Sequence, residues 1–422
     1  MKLNYTRTIC IGLAFLGITA FWQVYDTIIP LILKNTFGME ETLTGIIMAL
    51  DNILAIVLLP LFGAWSDKVD TPLGKRMPFI IAGTLLASCF MLLIPAADQS
   101  RNFPMFLIAL GIVLISMGLY RSPAVALMPD LTPPPLRSQG NAVVNVMGAV
   151  GAMYALVMIR LLVADEISAD YTMLFRSIVL ILLLALVLLL LTIKEKKLSA
   201  AIRSEYPDFE PETESCDGCT MSPEVKRSLT FGLLALVCYY MSFNGVTTAF
   251  SRYAQEIWGQ VGGQFATTFM LIAATAFISY LPAGILATRI GRKPVIAAGF
   301  LIMTVSFLIV SFFPAYHPFL NILLVFGSAG GSAVGVNIFP VIIDMCSEQD
   351  VGKYTGLYYT FSMSAQIATP IVSGFLMEHI SYYTLFPYAG VFSLLGFIMI
   401  LFVHHGNTKP EGKQSLLEYM DQ

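Results

Sequence analysis

Stretches of about 20 predominantly apolar residues recur along this chain, each the length of a helix that crosses a hydrocarbon layer. They fall near 8–33, 42–64, 78–96, 104–128, 140–162 and 174–193, then near 229–250, 264–287, 294–313, 319–343, 354–377 and 384–403. Between the two sets lies a polar segment, about 195–227, containing Pro207, Pro211, Glu205, Asp208, Glu210, Glu212, Glu214 and Asp217. Its composition carries no folding signal of its own. The pattern predicts an all-α membrane protein with twelve transmembrane helices in two pseudo-symmetric six-helix bundles, 1–194 and 228–405, a linker at 195–227 and a tail at 406–422. Basic residues before the first apolar run imitate a signal peptide, but apolar character continues to Leu33, so this run is expected to stay as the first helix.

One phrase occurs in both halves. Gly63, Asp67 and Lys68 run on to Gly74, Lys75, Arg76, Pro78 and Gly83, while Gly284, Thr288 and Arg289 run on to Gly291, Arg292, Lys293, Pro294 and Gly299. A basic, glycine-containing hairpin at the same place in two hydrophobic halves is the mark of a duplicated membrane transporter. Lysine and arginine then set the orientation. With both termini in the cytoplasm, eighteen of the 24 fall in inner segments, five (Lys34, Arg101, Arg160, Arg176 and Arg252) in outer loops, and Arg121 within a span. Both hairpins are then cytoplasmic, and the protein is expected in the cell membrane.

Composition agrees: 57% hydrophobic and 12% charged residues exceed what a soluble surface allows. The net charge of −3 averages over opposed faces and points to no partner, and nothing suggests nucleic acid. Cys216 and Cys219 form one Cys-x-x-Cys pair without a second pair or a nearby histidine, so no metal site is expected. No nucleophile with a base, phosphate loop or dinucleotide fingerprint occurs, so neither an enzyme nor a cofactor is expected.

Ionisable residues at membrane depth are costly and normally face a wet interior. Three qualify: Asp26, Asp51 and Arg121. Helical spacing puts Trp22, Tyr25 and Asp26 on one face, and an aromatic beside a carboxylate suits a polyol, the ring against its apolar face and the oxygens on its hydroxyls; the outer aromatic belt is the alternative for Trp22 and Tyr25. Helices 1 and 2 run in opposite directions, so Asp26 and Asp51 come to similar depth, which suits proton binding; a single interhelical hydrogen bond or a helix-capping role is the alternative. Arg121 is expected about 10 Å deeper toward the cytoplasm than Asp51, where it engages substrate or an acid after the halves move, or fixes helix 4. Asn52, Asn145, Tyr240 and Asn244 are candidate substrate contacts, whereas Asn337 and Gln366 equally suit interhelical hydrogen bonding. Asp67, Lys68, Arg76, Asp130 and Arg137, with Arg289 and Arg292 in the second copy, form a candidate cytoplasmic gate whose charges latch one conformation; a solvated topological anchor is the alternative.

The loop pattern Gly284-x-x-x-Thr288-Arg289-x-Gly291-Arg292-Lys293 resembles the major facilitator superfamily, although Thr288 replaces the usual acid. The longer first loop through Met77, Pro78, Phe79 and Ile80, and the run Arg121-Ser-Pro-Ala-Val-Ala-Leu-Met-Pro-Asp130-Leu131 before Arg137 and Asn141, are similar to proton-coupled sucrose transporters and glycoside-pentoside-hexuronide:cation symporters. That resemblance implies the major facilitator fold, a transport role for Arg121, and a monomer importing a sugar with protons. Ala55 and Leu59 stand before Pro60 where sodium-coupled relatives carry acids, so protons are the favoured ion. A proton antiporter exporting a drug or metabolite, and a membrane sensor without transport, are the alternatives.

Overall fold

Each apolar stretch folds as one long helix. The computed structural model describes residues 4–132, 136–198, 222–345 and 351–405. Its helices in chain order are α1 (Tyr5–Asn35), α2 (Glu41–Lys68), α3 (Met77–Gln99, with a kink at Leu92), α4 (Phe103–Asp130), α5 (Arg137–Leu162), α6 (Thr172–Thr192), α7 (Pro223–Trp258), α8 (Phe265–Ile290), α9 (Arg292–Val310), α10 (Phe319–Ile343), α11 (Val351–His379) and α12 (Leu385–Leu401). Eleven are long and apolar enough to cross a membrane, counting α12 with its leading turn, and α11 runs for 29 residues. No named strand occurs among the described residues.

Local signals explain the helix starts. The Asn4, Asn102 and Ser222 side chains accept from the backbone amides of Arg7, Met105 and Val225, and prolines stand in the first turns of α3, α4 and α7. At its other end α7 stops on Gly259 in the left-handed conformation, φ +63°. This helix runs past the apolar stretch at 229–250 in both directions. Residues 223–227, assigned to the linker, are helical, and Arg252, expected in an outer loop, lies within α7 and is wholly buried. The apolar pattern ends at the first charge, but the helix continues because a carboxylate from the other half meets that charge.

Glycines of the repeated phrase do the same work in each half. Gly83 of α3 lies against the Ser116 carbonyl and Tyr120 of α4, and Gly299 of α9 lies against the Gly330 carbonyl of α10. Both helix pairs thus cross at backbone contact, which packing in lipid favours because it admits many short dispersion contacts. On α5, Gly151 meets the Leu16 backbone of α1 in the same way, and the Thr19 hydroxyl donates to the Gly148 carbonyl at 2.6 Å.

The two six-helix bundles meet through α1 on α7, α2 on α11 and α5 on α8. With the end where α1 starts called the near end, the closest approaches all belong to the far end. There the Gly45 backbone touches Pro370 and Ile371, Gly374 touches Glu41, and Gly262 and Gly263 touch Ala164 and Ile159. Every cross-half hydrogen bond and ion pair found among the described residues is also at the far end. Toward the near end, α5 and α11 expose Asn145, Tyr359, Thr360 and Ser364. The bundles are closed at the far end and parted at the near end.

A methyl group at position 151 would collide with the Leu16 carbonyl and the Thr19 hydroxyl, whereas one at Gly111 meets nothing within 4 Å. Gly151→Ala should therefore lower the thermal midpoint in detergent, at a cost of about 1–3 kcal/mol. Gly111→Ala, which gains helix propensity without a clash, should leave the midpoint unchanged or raise it.

Candidate functional site

Asp51, Trp22 and Arg121 line one small cavity formed by α1, α2 and α4, with Leu54, Ala55, Leu58, Leu59, Leu114 and Gly118 as its apolar walls. The Arg121 guanidinium lies over the Trp22 ring, 5.9 Å from its centroid, a cation–π contact that holds the charge beside the cavity without neutralising it. No carboxylate lies within 4.0 Å of Arg121 among the described residues, yet Asp51 is near enough for the two charges to attract. The expected separation in depth therefore prevents a direct ion pair but not a shared cavity. The carboxylate of Asp51 accepts from the Asn52 side chain at 2.8 Å, and Asp26 lies within electrostatic range of Asp51. The indole nitrogen of Trp22 is buried with no hydrogen-bond partner among the described residues, which leaves a donor for something entering the cavity.

Tyr25 differs from its expected role. It is 1% exposed, and its hydroxyl donates to the backbone carbonyls of Ile47 and Met48, so it braces α1 against α2 and does not face the cavity. The helical spacing that groups it with Trp22 and Asp26 is correct, but the face spans both the cavity and the α2 contact. Asn145 is exposed and donates to the Asn141 carbonyl within its own helix. Asn244 is half-buried, with the Thr247 and Thr248 hydroxyls donating to its carbonyl oxygens. The amides of Asn337 and Gln366 donate to Ala333 and Ser362 one turn back in their own helices.

In the second half the ionisable groups give way to tyrosines. Tyr240 of α7 lies within hydrogen-bonding reach of Tyr358 of α11, Tyr239 stacks on Phe243, and Tyr358 packs edge-on against Tyr359 and Phe339. Tyr359, 53% exposed, comes within electrostatic range of Arg121 across the gap between the bundles. Tyr280, Tyr358 and Tyr359 went unrecognised in the sequence, although phenol groups far from the ends of spans are a usable signal.

Each copy of the repeated hairpin forms a cluster inside its own half. Arg76 is 6% exposed and bonds Asp67 at 2.5 Å, Asp130 at 2.9 Å and the Ser66 hydroxyl. Beside it the buried Glu195 accepts the backbone amides of Lys75, Arg76 and Met77, capping α3 with a carboxylate from the chain after α6. In the second half Arg292 pairs with Asp344, and the Lys293 ammonium donates to the Leu401 carbonyl at 2.8 Å. Lys68 and Arg289 are exposed. The Arg137 side chain, Cys216 and Cys219 lie outside the described residues. Each of these contacts joins groups of the same half.

The family profile described as Major Facilitator Superfamily matches residues 10–231 and again 232–418. The chain belongs to this superfamily. It is therefore a multi-pass membrane transporter and not an enzyme. Over 404 residues it is 22% identical to an uncharacterized MFS-type transporter of Methanocaldococcus jannaschii, covering 92% of this chain and 94% of that one. A sucrose transport protein of Arabidopsis thaliana is 27% identical over 136 residues, and proton-associated sugar transporter A of Homo sapiens 29% identical over 140. These two matches span 28% and 30% of this chain but only 23% and 18% of those proteins. Among solved structures, the inward-open xylose transporter XylE of E. coli superposes with a TM-score of 0.69 at 14% identity, covering 99% of this chain and 98% of that one. The outward conformation of FucP superposes with 0.56 at 18% identity, covering 96% and 100%. This superfamily member shares their fold.

The two tyrosine environments give opposite expectations. Tyr25→Phe removes a buried donor from two α2 carbonyls and should destabilise the protein by about 1 kcal/mol in thermal unfolding. Tyr359→Phe, which removes an exposed hydroxyl, should leave the midpoint within error.

Proposed function

We propose that the chain is an alternating-access secondary transporter of the cell membrane that imports a sugar or glycoside together with protons. The observation that carries this reading is the shared cavity: a carboxylate, Asp51, and an unneutralised guanidinium, Arg121, line one space beside an indole ring. Such a group can take up a proton and a polyol in the same place, which is what coupling requires.

Asp51, with Asp26 beside it, binds the proton. Arg121 exchanges its attraction to Asp51 for contact with substrate hydroxyls, so each ligand alters the site of the other. Trp22 and Asn52 in the first half, with Asn145, Tyr240, Asn244 and Tyr359, supply the sugar contacts. Sugar as the substrate is supported by partial likeness to sucrose transport proteins and to a proton-associated sugar transporter. The excess of lysine and arginine assigns the near end, with both termini, to the cytoplasm, so the conformation described is open inward.

In proteoliposomes an inwardly directed proton gradient should drive accumulation of a glycoside above its external concentration. Asp51→Asn should lower accumulation at least about tenfold, because a residue that binds the driving ion acts with its neighbours as a unit. The same variant should still exchange labelled for unlabelled sugar when no gradient is applied. Uptake that ignores the gradient, or full accumulation by Asp51→Asn, would contradict the assignment.

A further inference from the structure

Four charged side chains meet at the far end, two from each half. Lys34 ends α1 and Glu41 begins α2, both in the first half, while Arg252 and Glu256 stand one helical turn apart on α7 of the second. They are paired crosswise. Arg252 Nε lies 3.2 Å from Glu41 Oε2, and Lys34 Nζ lies 2.6 Å from Glu256 Oε1. Lys34 also donates to the Tyr382 hydroxyl at 2.5 Å, and that hydroxyl donates to Glu41. The Arg252 and Glu41 side chains are 0% and 5% exposed, so this charge pair is sealed from solvent while the far end is shut.

The same four groups have a second complete pairing. Lys34 Nζ is already 3.6 Å from Glu41 Oε1 within the first half. Arg252 and Glu256, at positions i and i+4 of one helix, are natural neighbours within the second. We propose that the far end is a partner-exchange gate: Glu41–Arg252 and Lys34–Glu256 hold it closed, and Lys34–Glu41 with Arg252–Glu256 take over when the halves part. No charge is left without a partner in either state. A gate of this kind biases the equilibrium little, because a buried ion pair gains about as much by attraction as it loses by desolvation. None of the Arg252 guanidinium nitrogens makes a well-aligned hydrogen bond among the described residues, so the closed pairing is not a deep minimum. This inference rests on the alternating-access reading, but on neither the substrate nor the proton.

Two double substitutions separate exchange from a simple latch. Glu41→Gln with Arg252→Gln leaves Lys34 and Glu256, which pair only when the far end is shut, and it removes the desolvated pair. Lys34→Gln with Glu41→Gln leaves Arg252 and Glu256, which pair within α7 when the far end is open and strand a buried cation when it is shut. Exchange predicts opposite shifts of at least about tenfold, the first variant toward the closed far end and the second toward the open one. A latch without exchange predicts that both variants open.

The readout is the distribution of distances between spin labels placed at Arg101 and Phe312, exposed far-end residues of opposite halves, in full-length protein freed of native cysteines. Shifts in opposite directions support the gate. Shifts in the same direction overturn exchange and leave alternating access standing. One immovable distance in the parent protein and in both variants overturns alternating access, and the gate with it.

Discussion

A charge in hydrocarbon is tolerated only where a countercharge or water reaches it, and that constraint arranges this molecule from end to end. At the far end the solution is mutual: Arg252 of one half is neutralised by Glu41 of the other, so closing the bundle and burying the charge are one event. At mid-depth the solution is incomplete neutralisation, with Asp51 and Arg121 attracting each other across a cavity and not joining in a bonded pair. At the near end Arg76 pairs with Asp67 and Asp130, and Arg292 with Asp344, each within its own half. Charges that must change neighbours when the halves move are therefore found where the halves meet, and those that hold a hairpin in shape are found elsewhere.

The halves repeat one backbone but divide the chemistry. Gly83 and Gly299 let equivalent helices touch, and each repeated hairpin centres on an arginine–aspartate contact. Among the described residues the first half brings Asp51 and Arg121 to the cavity, whereas the second presents Tyr240, Tyr358 and Tyr359. Under the proposed reading, proton and sugar meet at the first half's charged groups, and the second half adds neutral hydroxyls facing them.

The helices, their number and the duplication were legible because hydrophobic length is imposed by the bilayer and does not depend on tertiary contacts. Asp51, Trp22 and Arg121 were legible because the rarity of polar groups in spans marks them. Tyr25 was not, since spacing along one helix states which residues share a face but not which neighbour covers each part of it. Arg252 was hidden by the same rule that found the helices: a charge ends an apolar stretch, and only the fold brings Glu41 to it. The hairpin charges were recognised as a cluster, but whether a cluster bridges the halves is a property of the conformation.

Alternating access requires an aqueous pocket at the depth of Asp51 that communicates with one side of the membrane at a time. Ala55 lines that pocket and bears no charge, so a cysteine there, in protein freed of native cysteines, reports access without altering the site's chemistry. With the protein in the conformation described, a small membrane-impermeant thiol reagent should modify Ala55→Cys from the side of the termini and not from the opposite side. Reaction from neither side, or from both at equal rates in a single conformation, would contradict it.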